Sequence, residues 1–214
     1  MIAICSAFKK AMIAIDISGK QDYCQVDANC GHSEKLLPAI DFLLSRNNLT
    51  IADNDSFAVV VGPGSFTGLR IALALIKGLC AGQEEKIEVY PITSFQLMAY
   101  TYTKHFKPER DFVCLVNALS GKVFACRYSK DGLQIGQEQL LSQEQLESEQ
   151  QVCLEEEDLC QNKVELSPKE LLELALIKKD QTQPVSVEKI APLYLRKSQA
   201  EDDLERREQK LKKS

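Results

Sequence analysis

Residues 62 to 70, Gly-Pro-Gly-Ser-Phe-Thr-Gly-Leu-Arg, have the residue types and spacing most able to do chemistry in this chain. Glycine at 62, 64 and 68 admits positive φ and close backbone approach, while Pro63 fixes its own φ. The segment joins an apolar run at 57–61 to a long apolar stretch at 71–81 with no acidic residue, a pattern that predicts strand, tight turn and helix. Ser65 or Thr67 is placed to cap that helix, and an open helix start would hold an anion. Three glycine-loop chemistries fail on spacing. Leu69 follows Gly68 where a phosphate loop needs lysine, the third glycine comes one residue late for a dinucleotide fingerprint, and Ser65 lacks the glycine two places on that a nucleophile elbow requires. Spacing alone leaves a stiff capped turn, with Gly62, Pro63, Gly64, Ser65, Thr67 and Gly68 as its structural residues.

Other reactive side chains are scattered. The two histidines, His32 and His105, lie far apart in no ligand motif, so neither a metal site nor a serine protease triad is indicated. Eight cysteines occur without any C-x-x-C spacing, several inside apolar runs, and reduced buried thiols are expected. No catalytic residue, metal or cofactor of its own is therefore assigned from these residue types.

The elements that position the turn read as α/β. Strands are predicted at 12–18, 22–28, 56–61 and 86–92, with helices at 33–46, 67–81 and 94–105. Lys107 to Asp111 breaks the last helix and marks a boundary, so residues 1–108 and 109–197 are expected to form two lobes, with 198–214 as a charged mobile tail. The second lobe is predicted to have strands at 112–117, 121–128, 133–140 and near 152. A glutamate-rich helix is predicted at 142–150, and another at 168–179 opened by a Ser167–Glu170 capping box with Pro168 at its first position. Met12 to Ser18 and Phe112 to Ala118 open alike, each an apolar run followed by a turn and a second strand, which suggests a duplicated unit. Residues 1–11 are read as an edge strand or an extension, and their removal is expected to cost little stability.

Charge narrows the partners. The net charge is −5, yet 131–162 holds nine acidic residues and no Lys or Arg, leaving +4 on the remainder. Nucleic-acid affinity depends steeply on cationic contacts, so tight nucleic-acid binding by this chain alone is not expected. There is no run of 18 apolar residues and no lysine before the apolar start, so membrane insertion and secretion are not expected and the cytoplasm is.

Two helices invite a partner. The predicted helix at 67–81 is apolar nearly all round, with Leu69, Leu73 and Ile76 among its large residues, and such a helix needs cover on two sides. The helix at 33–46 offers Leu36, Leu37, Ile40, Leu43 and Leu44 as one broad stripe. Both are expected to contribute to a partner interface; a helix sandwiched wholly within its own domain is the alternative.

The order of Met12-Ile13-Ala14-Ile15-Asp16-Ile17-Ser18, His32-Ser33 before Leu36-Leu37-Pro38, the GPGSFTGLR turn and Pro192-Leu193-Tyr194-Leu195-Arg196 resembles the TsaB family of bacterial accessory proteins of tRNA threonylcarbamoyladenosine synthesis, a glycoprotease-like family. The resemblance implies two ribonuclease-H-like lobes of the actin, sugar kinase and heat-shock ATPase type, the second lobe reduced. It also implies pairing of the two helices with TsaD, the catalytic paralogue, engagement of the ATPase TsaE, and a homodimer as the competing assembly. tRNA would be met only through the complex, and ATP, if bound, at the complex junction. The phosphate hairpins of active relatives are eroded here: Asp16 and Ser18 keep part of the first, while Asn117 and Leu119 stand where the second usually has aspartate and arginine. A shortened first hairpin suggests the loss of one strand. A small ATP-dependent phosphotransferase and a freestanding homodimeric interaction protein remain as alternatives.

Overall fold

A computed structural model describes residues 1–27, 32–82, 86–118, 121–146 and 150–195. Expectations for Leu119, Arg196, the side chain of His32 and the tail 198–214 fall outside the described residues.

Two five-stranded mixed sheets form the α/β framework. The first contains β1 (Ile2–Cys5), β2 (Lys10–Ile17), β3 (Lys20–Asp27), β4 (Ser56–Gly62) and β5 (Glu88–Thr93), in the order β3-β2-β1-β4-β5. The second contains β6 (Phe112–Asn117), β7 (Lys122–Tyr128), β8 (Gln139–Ser142), β9 (Gln151–Leu154) and β10 (Asn162–Val164), in the order β10-β9-β6-β7-β8. The pairings match one for one. β1–β2, β2–β3, β6–β7 and β7–β8 are antiparallel, while β1–β4, β4–β5, β6–β9 and β9–β10 are parallel. The same topology therefore occurs twice along the chain.

This topology corrects the reading of the start. Ile2–Cys5 is the middle strand of its sheet, hydrogen-bonded to β2 on one side and β4 on the other, with all four residues 0% exposed. It is neither an extension nor an edge strand. The counterpart of Phe112–Asn117 is therefore Ile2–Cys5, and Met12–Ser18 corresponds to β7. No strand is lost, since both sheets have five and the first hairpin, β1–β2, begins ahead of Met12. Asp16 lies beside the Ile2 end of β1, at the opposite end of the strands from the β1–β2 hairpin, and Gln21 Nε2 donates to it at 2.7 Å. Asp16 and Ser18 are thus no remnant of a phosphate hairpin.

Helices α1 (His32–Arg46), α2 (Phe66–Leu79) and α3 (Ser94–Phe106) belong to the first half, and α4 (Pro168–Gln181) to the second. α1 and α2 cover the outer face of the first sheet, where Ile2, Ile4, Phe57, Val59 and Val89 meet Leu36, Ile40, Leu43, Ala72, Leu73 and Ile76. The inner face of that sheet shares one continuous core with α3, α4 and the second sheet, running from Ala3, Cys5 and Ala14 through Phe95, Met98, Leu171 and Leu172 to Phe112, Cys114 and Val152. Both helices lie between the sheets. The strand alternation explains this division, since successive side chains of Ile2-Ala3-Ile4-Cys5 enter different cores.

The second lobe is reduced in its connections. Where β3 reaches β4 through α1, β8 reaches β9 through a 3-10 turn, Gln143–Leu146, with residues 147–149 outside the described residues. Of the helix expected at 142–150, the described residues show a 3-10 turn at Gln143–Leu146, with Ser142 still in β8. β9 and β10 are joined by a loop at 155–161 where β4 and β5 are joined by α2, and β10 is a strand the sequence did not announce. The outer core of this lobe is accordingly thin: Val113, Leu115, Val123 and Cys153 are covered by Leu141, Leu146, Leu159 and Cys160. β8 starts at 139, because Gln134 makes only a single bridge to Tyr128. The Ser167–Glu170 capping box does not form. Ser167 is the N-cap residue, but its hydroxyl donates to the Glu170 carboxylate, which also faces His105 Nε2 at 3.1 Å and ties α4 to α3.

Candidate functional site

The glycine turn is a clasp. Ser65 caps α2, accepting from the Gly68 N–H at 3.2 Å through its hydroxyl, while the Leu69 N–H donates to its carbonyl at 2.9 Å. Thr67 lies exposed inside the first turn and does not cap. The Ser65 N–H donates to Ala7 O at 2.7 Å, and Ser6 Oγ donates to Gly68 O at 2.6 Å, so the turn grips the β1–β2 hairpin from both sides. Ser94 Oγ, at the start of α3, donates to Pro63 O at 2.6 Å. The Leu193 N–H donates to Val61 O at 2.7 Å, which brings the Pro192–Leu195 segment onto the same corner. Of the N–H groups that a helix start leaves open, those of Ser65 and Gly68 are engaged internally, so fewer remain to hold an anion.

Two glycines are required by this arrangement. Gly62 adopts φ +117°, and a Cβ there would meet Leu69 Cδ1 at 3.0 Å. A Cβ on Gly64 would stand 2.5 Å from Ala7 O, a backbone atom held in the central hairpin. Gly64→Ala is therefore expected to destabilise the fold by about 1–3 kcal/mol, measured as a lower urea midpoint with an unchanged slope. An unaltered midpoint would mean that the clasp yields at no cost.

The hairpins that would hold phosphate in an active two-lobed enzyme are occupied by the chain itself. In the first, Cys5 ends β1 with its thiol pushed up to about 12 by burial, and Ser6 and Ala7 are bound to the clasp. In the second, the Asn117 N–H donates at 3.0 Å to Glu157 Oε1. Burial pushes Glu157 up to about 7, and its Oε2 is buried without a partner among the described residues. Beside these hairpins lies a cavity of about 280 Å³ between the sheets, whose charged lining is Glu155, Glu156 and Glu165 against Lys10. That excess of carboxylate disfavours a polyphosphate. Among the described residues no three His, Cys, Asp or Glu side chains converge as a metal site would need.

Seven of the eight predicted partner-binding side chains belong to the chain's own core. Leu36, Ile40, Leu43 and Leu44 of α1, with Leu69, Leu73 and Ile76 of α2, are at most 4% exposed and face the first sheet. Leu37 is the exception at 48%. The second side of α2 is partly covered by the chain as well: Val187 and Ile190 are buried in the same core, and Lys77 Nζ donates to Glu188 O at 3.5 Å. Ile71, Leu75 and Leu79 of α2 pack against the same outer core yet stay partly exposed, spaced i, i+4, i+8 on one stripe and flanked by exposed Arg70, Ala74 and Gly78. On α1, Leu37 and Phe42 remain outside.

Sequence reasoning also missed a cluster at the start of α2. The Arg70 guanidinium lies 3.8 Å from the Phe66 ring centroid, Arg70 Nε donates to Tyr194 OH at 3.1 Å, and the Phe66 and Tyr194 rings are 5.4 Å apart. The i, i+4 spacing of Phe66 and Arg70 inside the turn motif was the available signal.

A family model described as TsaD: tRNA N6-adenosine threonylcarbamoyltransferase matches residues 26–186. The chain is 27% identical over 124 residues to a tRNA threonylcarbamoyladenosine biosynthesis protein TsaB of Haemophilus influenzae, covering 58% of this chain and 51% of that protein. It is 29% identical over 133 residues to the protein of that name in Buchnera aphidicola subsp. Schizaphis graminum, covering 56% and 61%. The chain thus spans about half the length of the curated relatives it matches. Among solved structures it is similar to YeaZ from Pseudomonas aeruginosa, at 20% identity and TM-score 0.74 over 91% of this chain and 98% of that one. Another structure, of a protein with similarity to peptidase YEAZ from the same organism, superposes with TM-score 0.76 at 20% identity, again over 91% and 98%. These superpositions show a shared fold.

Proposed function

The chain belongs to the family of TsaD, tRNA N6-adenosine threonylcarbamoyltransferase, and from that membership we propose that it serves tRNA threonylcarbamoyladenosine biosynthesis as a non-catalytic subunit. It binds the catalytic paralogue TsaD, presents it to the ATPase TsaE, and so enables threonylcarbamoyl transfer to the adenosine beside the anticodon of tRNAs reading codons that begin with adenine. The observation that carries this reading is the Ile71–Leu75–Leu79 stripe, which packs on the outer core and still shows a partly exposed apolar edge, together with exposed Leu37. Protein interfaces have such centres, apolar and nearly free of charge. The chain's own chemistry is weak by comparison: a buried thiol ends β1, a carboxylate takes the N–H of the second hairpin, and the cavity between the sheets is acidic. tRNA is met through the complex, and ATP, where bound, lies at the junction of the subunits.

Reconstitution tests this directly. Threonylcarbamoyl transfer to tRNA by TsaD and TsaE is expected to require the chain, while the isolated chain hydrolyses neither ATP nor casein. Turnover of about 1 per second by the isolated chain, lost in Lys9→Ala of the first hairpin, would instead establish the phosphotransferase alternative.

A further inference from the structure

We infer that Phe66, Arg70 and Tyr194 form a pre-ordered anchor that receives a carboxylate of the partner protein at the end of the α2 stripe; this rests on the interface reading above. Three observations lead to it. The first is exposure without a core role: Phe66 is 43% and Tyr194 50% exposed, although both lie in the most distinctive segments of the sequence.

The second observation is rigidity. Tyr194 lies between residues held on either side, since Leu193 packs on the outer core and donates its N–H to Val61 O, and Leu195 packs on the inner core. Its half-exposed ring therefore stands on a segment anchored at both neighbours. Arg70 is stacked on Phe66 and hydrogen-bonded through Nε to Tyr194 OH, which fixes the plane of the guanidinium. Stacked arginine and exposed tyrosine are the residue types that dominate interface energetics, and ordering them beforehand removes entropy cost on binding.

The third observation is charge. Nε is used internally, and among the described residues no carboxylate pairs with Arg70, so the terminal guanidinium N–H groups are free to fork onto a planar anion. A carboxylate is favoured over a nucleic-acid phosphate because tracking a phosphate backbone takes several cations. The exposed face of α2 adds only Lys77, which already donates to Glu188 O. Arg70 also continues directly into the Ala74 and Gly78 line beside the apolar stripe, so a partner helix lying along α2 would bring its own end to this anchor.

Calorimetric titration of the full chain against purified TsaD tests the anchor, with Leu75→Glu as the variant that tests the interface itself. Arg70→Ala is expected to weaken binding by roughly tenfold to a hundredfold and to reduce its salt dependence, with Arg70→Lys recovering only part and Tyr194→Phe losing a smaller share. Full affinity in Arg70→Ala while Leu75→Glu abolishes binding would overturn the anchor and leave the interface standing. Normal binding by Leu75→Glu would remove the interface, and the anchor with it. The carboxylate assignment would also be overturned if Arg70→Ala spared TsaD binding but reduced self-association in sedimentation, which would point to a second copy, or reduced retention of free tRNA on filters, which would point to phosphate.

Discussion

Deletion of residues 1–9 is expected to abolish folding. The segment contains β1, whose removal takes away the strand between β2 and β4 and leaves both neighbours with unpaired edges inside the molecule. It also empties two cores at once, because Ile2 and Ile4 fill the outer one and Ala3 and Cys5 the inner one. Ile4→Ala alone is expected to cost about 2–5 kcal/mol, a large part of a typical stability of about 5–15 kcal/mol. Circular dichroism and urea denaturation of the truncated chain and of the point variant give the measure. A truncated chain with native ellipticity and a cooperative transition would mean that another segment replaces β1.

The helix pair gives the second large effect. Leu73→Glu and Ile76→Glu are expected to unfold the protein, since both side chains are nearly inaccessible against the first sheet and an unpaired buried carboxylate costs several kcal/mol. Leu75→Glu, one helical position away, is expected to fold and to lose affinity for TsaD by roughly a hundredfold, at about 1.4 kcal/mol per tenfold. Leu37→Glu on α1 is expected to behave like Leu75→Glu. The contrast is read by circular dichroism for folding and calorimetric titration for binding. If Leu75→Glu folds and binds normally, the subunits meet elsewhere.

These two experiments touch the places where the sequence was least and most legible. Met1-Ile2-Ala3-Ile4 is repeated letter for letter by Met12-Ile13-Ala14-Ile15, and both strings are apolar on both faces, so pattern alone cannot tell which occupies the middle of the sheet. Only pairing decides, and it placed β1 at the centre and shifted the whole duplication by one strand. The amphipathic stripe of α1 was plain from Leu36, Ile40, Leu43 and Leu44, and it correctly marked a helix face. A stripe marks whatever face is buried, however, and the chain's own sheet claimed it first. The apolar residues that stay partly or largely exposed are those that depart from the pattern, Leu37 on α1 and the 71, 75, 79 line on α2, and the latter could be separated from Leu73 and Ile76 only by knowing where the sheet lies. Glutamate-rich 142–150 reads as helix on local propensity, whereas Gln143–Leu146, the described part that follows β8, is a 3-10 turn. The glycine turn was legible as a stiff capped corner because its constraints are local; its grip on Ala7, Ser94 and Leu193 was not, because those contacts join residues remote in sequence.

The placement of α3 and α4 between the two sheets bears on how the molecule moves. In a two-lobed enzyme that shuts like a jaw, the space between the halves must open and close on each cycle. Here that space is bolted by Phe95, Met98, Leu171 and Leu172, and by the hydrogen bond from His105 to Glu170, so separating the halves would expose apolar surface continuous with both sheets. The halves are therefore expected to move as one piece. A binding partner would meet a template of constant shape, and amides of β1, β4, α3 and α4 should exchange with solvent only in whole-molecule unfolding, in step with one another across the two halves.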